Sequence, residues 1–231
     1  MHLSTILLFM KVLTYHNIEK PPEGAKLKTL YVKPSKFERQ LKALRWLGFK
    51  TSLIPDSRND NNVLLTFDDG YKDFVENALP LLKKHNFTAV VFVVAGLVGT
   101  FNVWDHEKLR VKKPLMDWKD LEYIIKEGIK VGSHTLTHPY LTGLDLREAK
   151  REIEASKKML EDKLGIEVDC FCYPYGNYNE KIKELVKEAG YKYAFSTKTG
   201  TFKQGDDPYE IHRITVFGNM PLPVFMLKLI L

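Results

Sequence analysis

Short apolar runs alternate with amphipathic helical stripes along almost the whole chain, and that alternation leaves few folds open. Strand-like runs lie at 11–16, 63–69, 89–95 and 129–134, and further strands are expected at roughly 167–173, 192–197 and 211–217. Between them, Ser35 with Glu38 forms a capping-box signature ahead of a Phe37, Leu41, Leu44 and Leu47 stripe that Gly48 closes. A stretch at about 73–85 reads as helix broken and restarted at Pro80, because proline is tolerated only in a first turn. Asp117 caps a helix carrying Leu121, Ile124 and Ile125 that ends at Gly128. Asp145 with Glu148 starts a long helix whose Ala149, Ile153, Leu160 and Leu164 face the core, and a helix at about 179–189 stops at Gly190. Strands alternating with helices imply right-handed crossovers and a parallel sheet, and roughly seven such units favour closure into a barrel over an open sheet.

Length agrees with one such unit. The 231 residues fit one α/β domain, since single barrels reach about 200–250 residues. No Pro/Gly-rich or Ser-rich stretch marks a linker. The net charge of +6 comes from lysines such as Lys157, Lys158, Lys181, Lys183 and Lys187, interleaved with acids. That is a solvated face rather than a nucleic-acid patch, so no nucleic-acid partner is expected. Cys170 and Cys172 sit two apart on an expected strand, where their side chains point the same way and are poorly placed to bridge each other. A reduced buried pair is the expectation, with a Cys-x-Cys metal site a distant second.

Neither terminus is long enough to span a bilayer, and no transmembrane segment is expected. Met1 to Met10 is apolar, but it has no Lys or Arg before its apolar run and no small-residue cleavage site, which makes it a weak signal peptide. A strand pattern begins at Met10-Lys11, a second candidate start, and the compartment stays open between cytoplasm and exterior. The apolar Val224 to Leu231 reads as a packing strand or helix, with interfacial membrane attachment the minority reading.

The polar residues sit where strands end. Val63 to Gly70 is an apolar strand ending in two adjacent carboxylates, Asp68 and Asp69, and Ile129 to His138 is a second apolar run ending in two imidazoles, His134 and His138. In a β/α barrel the C-terminal strand ends converge on one mouth, where active sites lie. Two imidazoles and a carboxylate suit zinc or a similar divalent ion, with positions left for water and substrate. A helical turn after the strand would put both rings on one side. The second carboxylate, poised over water that such an ion activates, can serve as general base. Asp-Asp-Gly could otherwise be a mere turn, and a lone histidine pair one buried and one surface ring; the four residues at one mouth favour the metal site.

Thr66 to Gly70, Ser133 to His138 and Tyr173 to Gly176 resemble, in order and spacing, the motifs of the polysaccharide deacetylase family, also called NodB-homology or carbohydrate esterase family 4 proteins. The resemblance runs from about residue 11 to about residue 217. It implies a distorted (β/α)7 barrel, resembling a TIM barrel, in one domain over 1–231. It also implies metal-dependent hydrolysis of acetyl groups, usually the N-acetyl of N-acetylglucosamine units in a glycan. By motif position Asp69, His134 and His138 would bind a divalent metal, zinc first, with cobalt, nickel or iron admissible. Asp68 would be general base, the Tyr175 N–H would stabilise the oxyanion, and Pro174 with Tyr175 would shape the groove wall.

Two features depart from the family pattern. Where the third motif ordinarily begins with an arginine that orients the catalytic aspartate, this chain has Cys172, and the late Leu-x-x-His motif that supplies the general acid has no equivalent. A subset of the family, which includes exopolysaccharide poly-N-acetylglucosamine deacetylases, carries Tyr-His near its N-terminus, and Tyr15-His16 resembles it. By that resemblance His16 would take the general-acid role. Arg213 is either the replacement partner of Asp68 or a surface arginine. Hydrolysis of other amides or of O-acetyl esters, and carbohydrate binding without turnover, are the competing functions.

Overall fold

The structure is a computed structural model that describes residues 9–56 and 61–230. The readings of the Met1 to Met10 run lie, for residues 1–8, outside the described residues, as does Leu231 of the apolar C-terminus. Strand β1 (Phe9–Tyr15) pairs in parallel with β3 (Asn62–Phe67), and β4 (Val90–Val93), β5 (Lys130–Ser133), β6 (Cys170–Cys172) and β7 (Tyr193–Phe195) follow in chain order across one sheet. Strand β2 (Lys50–Thr51) extends the start of β3, and β8 (Phe202–Lys203) crosses the start of β1 antiparallel.

The sheet curls until its ends meet. Strand β9 (Ile214–Thr215) pairs in parallel with β1, and just before it Ile211 bridges Phe195 of β7. At that seam Ile211 N–H donates to Ala194 O and Ser196 N–H to Ile211 O, both at 2.9 Å. Strands β1, β3, β4, β5, β6, β7 and the 211–215 segment make a barrel-like ring of parallel positions, as the alternation implied. Its closing segment is thinner than the expected strand over 211–217, because only Ile214 and Thr215 run in a ladder.

Helices cover the outside. Helix α1 (Pro34–Trp46) starts one residue ahead of the expected capping box: Pro34 occupies its first turn, Lys33 is the N-cap, and no side chain caps it. Glu38 turns away from the backbone to Lys84 and His85 instead. Next, a π-turn over Phe74–Ala78 runs into α2 (Leu79–His85), whose first turn holds Pro80; the wider turn accommodates a residue with no N–H to give. Short α3 (His106–Leu109) precedes α4 (Trp118–Lys126), which has the Asp117 cap expected and, in return, an Asp120 carboxylate that accepts from the Asp117 N–H. Helix α5 (Leu146–Leu164) is capped by Asp145 and ended by left-handed Gly165, and α6 (Glu180–Glu188) is capped by Asn179. The apolar C-terminus forms α7 (Leu222–Ile230), which buries Phe225 and Leu229. No helix among the described residues is long and apolar enough to cross a membrane.

The two-residue period of each strand sorts side chains between two cores. Leu13, Tyr15, Val63, Leu65 and Phe67 face the helices, while Met10, Val12, Leu64, Val90, Phe92, Cys170 and Cys172 fill the barrel. Following the inward face of one strand toward its C-terminal end gives Leu64, Thr66 and Asp68. The interior is apolar at its foot and polar at its mouth.

Gly132 lies inside this packing. A Cβ there would stand 2.6 Å from the Phe92 ring and 3.0 Å from Cys170 O. Gly132→Ala should therefore lower stability by about 1–3 kcal/mol in denaturant titrations, as overpacked cores do. Gly143→Ala, whose added methyl meets nothing within 4 Å, should stay close to wild type.

Candidate active site

Two strand ends and a loop meet at the mouth. The end of β3 delivers Asp68 and Asp69, the end of β5 delivers His134, and the loop beyond it returns His138. Asp69 Oδ1 lies 3.5 Å from His134 Nε2 and 3.4 Å from His138 Nε2, and the two Nε2 atoms are 3.2 Å apart. Four-coordinate zinc with ligand distances of about 2.0–2.1 Å requires donors roughly 3.3–3.4 Å apart. The donor triangle therefore fits such an ion in both chemistry and size. His134 Nδ1 donates to Cys172 O at 2.7 Å, which leaves the Nε2 lone pair to face the triangle.

The His134 to His138 segment brings its rings together without a helical turn. Thr135 (φ 68°) and His138 (φ 66°) both adopt left-handed backbone and fold the loop back on itself. Glu152 of α5 holds the fold, accepting from the N–H groups of Leu136 and Thr137 at 2.9 and 2.8 Å. His138 N–H donates to Thr135 Oγ1 at 2.9 Å. Asp69 (φ 75°) and Tyr175 (φ 58°) are left-handed as well. Each such residue costs on the order of 1–3 kcal/mol unless its surroundings over-determine it, and such residues concentrate at functional sites.

Asp68 faces elsewhere. Arg213, only 1% exposed, donates from Nη1 to Asp68 Oδ1 at 2.7 Å and from Nη2 to Oδ2 at 2.8 Å, a two-pronged buried pair. The same guanidinium reaches Ser196 O at 2.8 Å, Thr66 Oγ1 at 3.2 Å and Cys172 Sγ at 3.1 Å. It thus sits against the position where the resemblance led one to expect an arginine on β6. Cys172 and Cys170 are free and buried. Cys172 also groups with Asp68 and His134 as a second set of metal-ligand types, but both Asp68 oxygens already bind Arg213. That favours the Asp69 set.

Burial raises the Asp68 carboxyl, but the charge and hydrogen bonds of Arg213 outweigh it and hold the group below the usual carboxylate range. Asp69 is held well below that range against the same opposing effect of burial, through its bonds to both imidazoles. The imidazoles diverge. His134 is raised well above its ordinary value against burial, by Cys172, Asp69 and Asp68. His138 is lowered, because burial, helped by the charge of its neighbour His134, outweighs the pull of Asp69.

These groups line one cavity of about 140 Å³. His16 lines it too and acts electrostatically on both Asp68 and Asp69. Tyr175 forms part of the wall, but Pro174 does not, contrary to expectation: it is buried, and Tyr173 lines the cavity in its place. Sequence reasoning passed over Tyr31, Tyr71, Trp104 and Asp105, which lie in loops with no motif of their own. Nothing in the local sequence, Val103-Trp104-Asp105 included, marks them as part of a site.

The sequence profile of a family described as polysaccharide deacetylase matches residues 56–194. YxkH of Bacillus subtilis (strain 168) is 27% identical over 220 residues, covering 91% of this chain and 72% of that protein. The poly-beta-1,6-N-acetyl-D-glucosamine N-deacetylase of Staphylococcus aureus (strain MRSA252) is 27% identical over 231 residues, covering 88% of this chain and 77% of that protein. Among solved structures, the Streptococcus pyogenes deacetylase PplD in complex with acetate superposes with a TM-score of 0.83 at 24% identity, over 96% of this chain and 99% of that one. That likeness bears on the fold.

The buried pair yields a stability test. Arg213→Met strands a buried carboxylate and should cost about 3–5 kcal/mol in denaturant unfolding. Adding Asp68→Asn removes that charge and should recover most of the loss; a double variant as unstable as the single would assign the loss to packing.

Proposed function

The chain belongs to the polysaccharide deacetylase family, and from that premise we propose that it is a metal-dependent hydrolase removing N-acetyl groups from N-acetylglucosamine units of a glycan. The observation that carries the reading is the triangle of Asp69, His134 and His138 with Asp68 beside it in one cavity. Asp69, His134 and His138 would hold the divalent ion, zinc being the best match to two imidazoles and a carboxylate, with cobalt, nickel and iron admissible. When bound, such an ion supplies Lewis acidity that acidifies water and polarises an acetyl carbonyl, so that even a carboxylate of low basicity can take a proton.

Asp68 is the general base. Oδ1 keeps a second lone pair after bonding Arg213, Oδ2 also faces the Cys172 thiol at 3.7 Å, and the charge of Arg213 keeps the group ionised. The Tyr175 N–H donates to the developing oxyanion. His16, across the cavity from the third motif, protonates the departing amine, which cannot leave as an anion. The relative named for poly-beta-1,6-N-acetyl-D-glucosamine makes that polymer the first substrate to try.

Acetate release from poly-N-acetylglucosamine, chito-oligosaccharides and acetylated xylan, with several divalent metals, tests the reading. Release from the xylan alone would replace it with O-acetyl ester hydrolysis, and no release from any would overturn it. Metal analysis should give one ion per chain, removed by His134→Ala or His138→Ala. Asp68→Asn should keep the ion and lose roughly 10²–10⁴-fold in turnover; full activity would end the general-base assignment. An ester leaves more readily than an amine, so His16→Ala should depress amide hydrolysis far more than hydrolysis of an activated acetyl ester. Equal losses on both would remove the general-acid role.

A further inference from the structure

The two imidazoles of the triangle are held in different ways. His134 is turned by the bond from its Nδ1 to Cys172 O at 2.7 Å. His138 Nδ1 is buried and meets no hydrogen-bonding partner among the described residues. A ligand histidine is ordinarily oriented by a bond on its second nitrogen, and losing that support costs about 10–100-fold in metal affinity or activity. The backbone of His138, at φ 66°, offers no secondary-structure ladder to fix the ring instead.

Aromatic rings surround it. The Trp104 indole stacks on the His138 ring at 4.6 Å between centroids and 27° between planes, and the Tyr175 ring meets it edge-on at 4.6 Å and 75°. Trp104 is itself braced. Buried Asn102 donates from Nδ2 to Asp105 Oδ1 at 2.8 Å and to Val111 O at 3.0 Å, and its Oδ1 accepts from Lys113 N–H at 2.7 Å. The Trp104 indole lies close to that Asp105 carboxylate. The loop is thus a rigid arm that brings one flat ring against another.

We propose that Trp104 is a positioning residue for metal binding: its indole fixes the plane of the His138 ring, doing by stacking what a hydrogen bond on Nδ1 does at His134. The inference rests on the metal-site reading above. Its physical basis extends beyond steric support, because an imidazole that shares its lone pair with a cation is electron-poor and the indole face is electron-rich, so the stack strengthens when the ion arrives. Since Trp104 also lines the cavity, one side chain borders both the space open to a substrate and the ligand set.

The test is metal affinity of the full chain, measured by chelator competition with zinc and with cobalt, alongside the thermal midpoint of the metal-free protein. Trp104→Leu keeps apolar bulk and removes the flat ring; it should bind both ions about 10–100-fold more weakly than wild type. Trp104→Phe restores a ring and should return most of the affinity. In the metal-free state the two variants should melt together, which separates a loss of ring orientation from a loss of fold. Trp104→Leu binding as tightly as wild type would overturn the proposal, and so would Trp104→Phe binding as weakly as Trp104→Leu. A wild-type chain that binds neither ion would overturn the metal-site reading and this inference together.

Discussion

A guanidinium buried inside the barrel sets the terms for everything at its mouth. Desolvating Arg213 is costly, and only a full set of partners offsets it. Those partners come from β3, β6 and the residue after β7: both oxygens and Thr66 Oγ1 from the first, Cys172 Sγ from the second, Ser196 O from the third. The planar fork fits a carboxylate as a lysine would not. With Asp68 engaged by this fork, the two adjacent carboxylates of Asp-Asp-Gly acquire different surroundings. One meets a fixed cation, the other a pair of imidazoles.

Much of this was legible in the sequence, for a definable reason. Apolar runs with polar ends declare strands and their direction, so Asp68, Asp69, His134 and His16 could be assigned to one mouth before any coordinates. The caps at Asp117 and Asp145 were legible because an acidic side chain before a helical stripe has a local job. The Ser35 box misled because Pro34, one residue earlier, already opens the helix. Arg213 stayed ambiguous because its partner is 145 residues away, and no local pattern encodes such a contact. Trp104 was invisible for the same reason, since the ring it stacks on belongs to another loop.

The local conformations were the least legible part. Spacing by four suggested a helical turn between His134 and His138, yet the chain brings the rings together by two left-handed residues. Nothing in Thr135 announces this, because a β-branched side chain disfavours it. The conformation is imposed from outside, by Glu152 on α5 and by the Thr135 hydroxyl. Gly176 nearby shows the converse case. It is left-handed at φ 67°, and a Cβ there would lie 1.9 Å from Thr197 Oγ1, so glycine is required both by backbone and by space.

The pleat of a narrow barrel has a consequence for how such chains are compared. Inward side chains at one level, whichever strand carries them, look into the same few ångströms of interior. An arginine borne on the closing segment and one borne on β6 are therefore near-equivalent occupants of a single spot, as the 3.1 Å between Arg213 Nη2 and Cys172 Sγ makes plain. A motif scored in chain order counts that arginine as missing. Scored by storey, floor by floor around the ring, it is present, and a cysteine has simply made room for it.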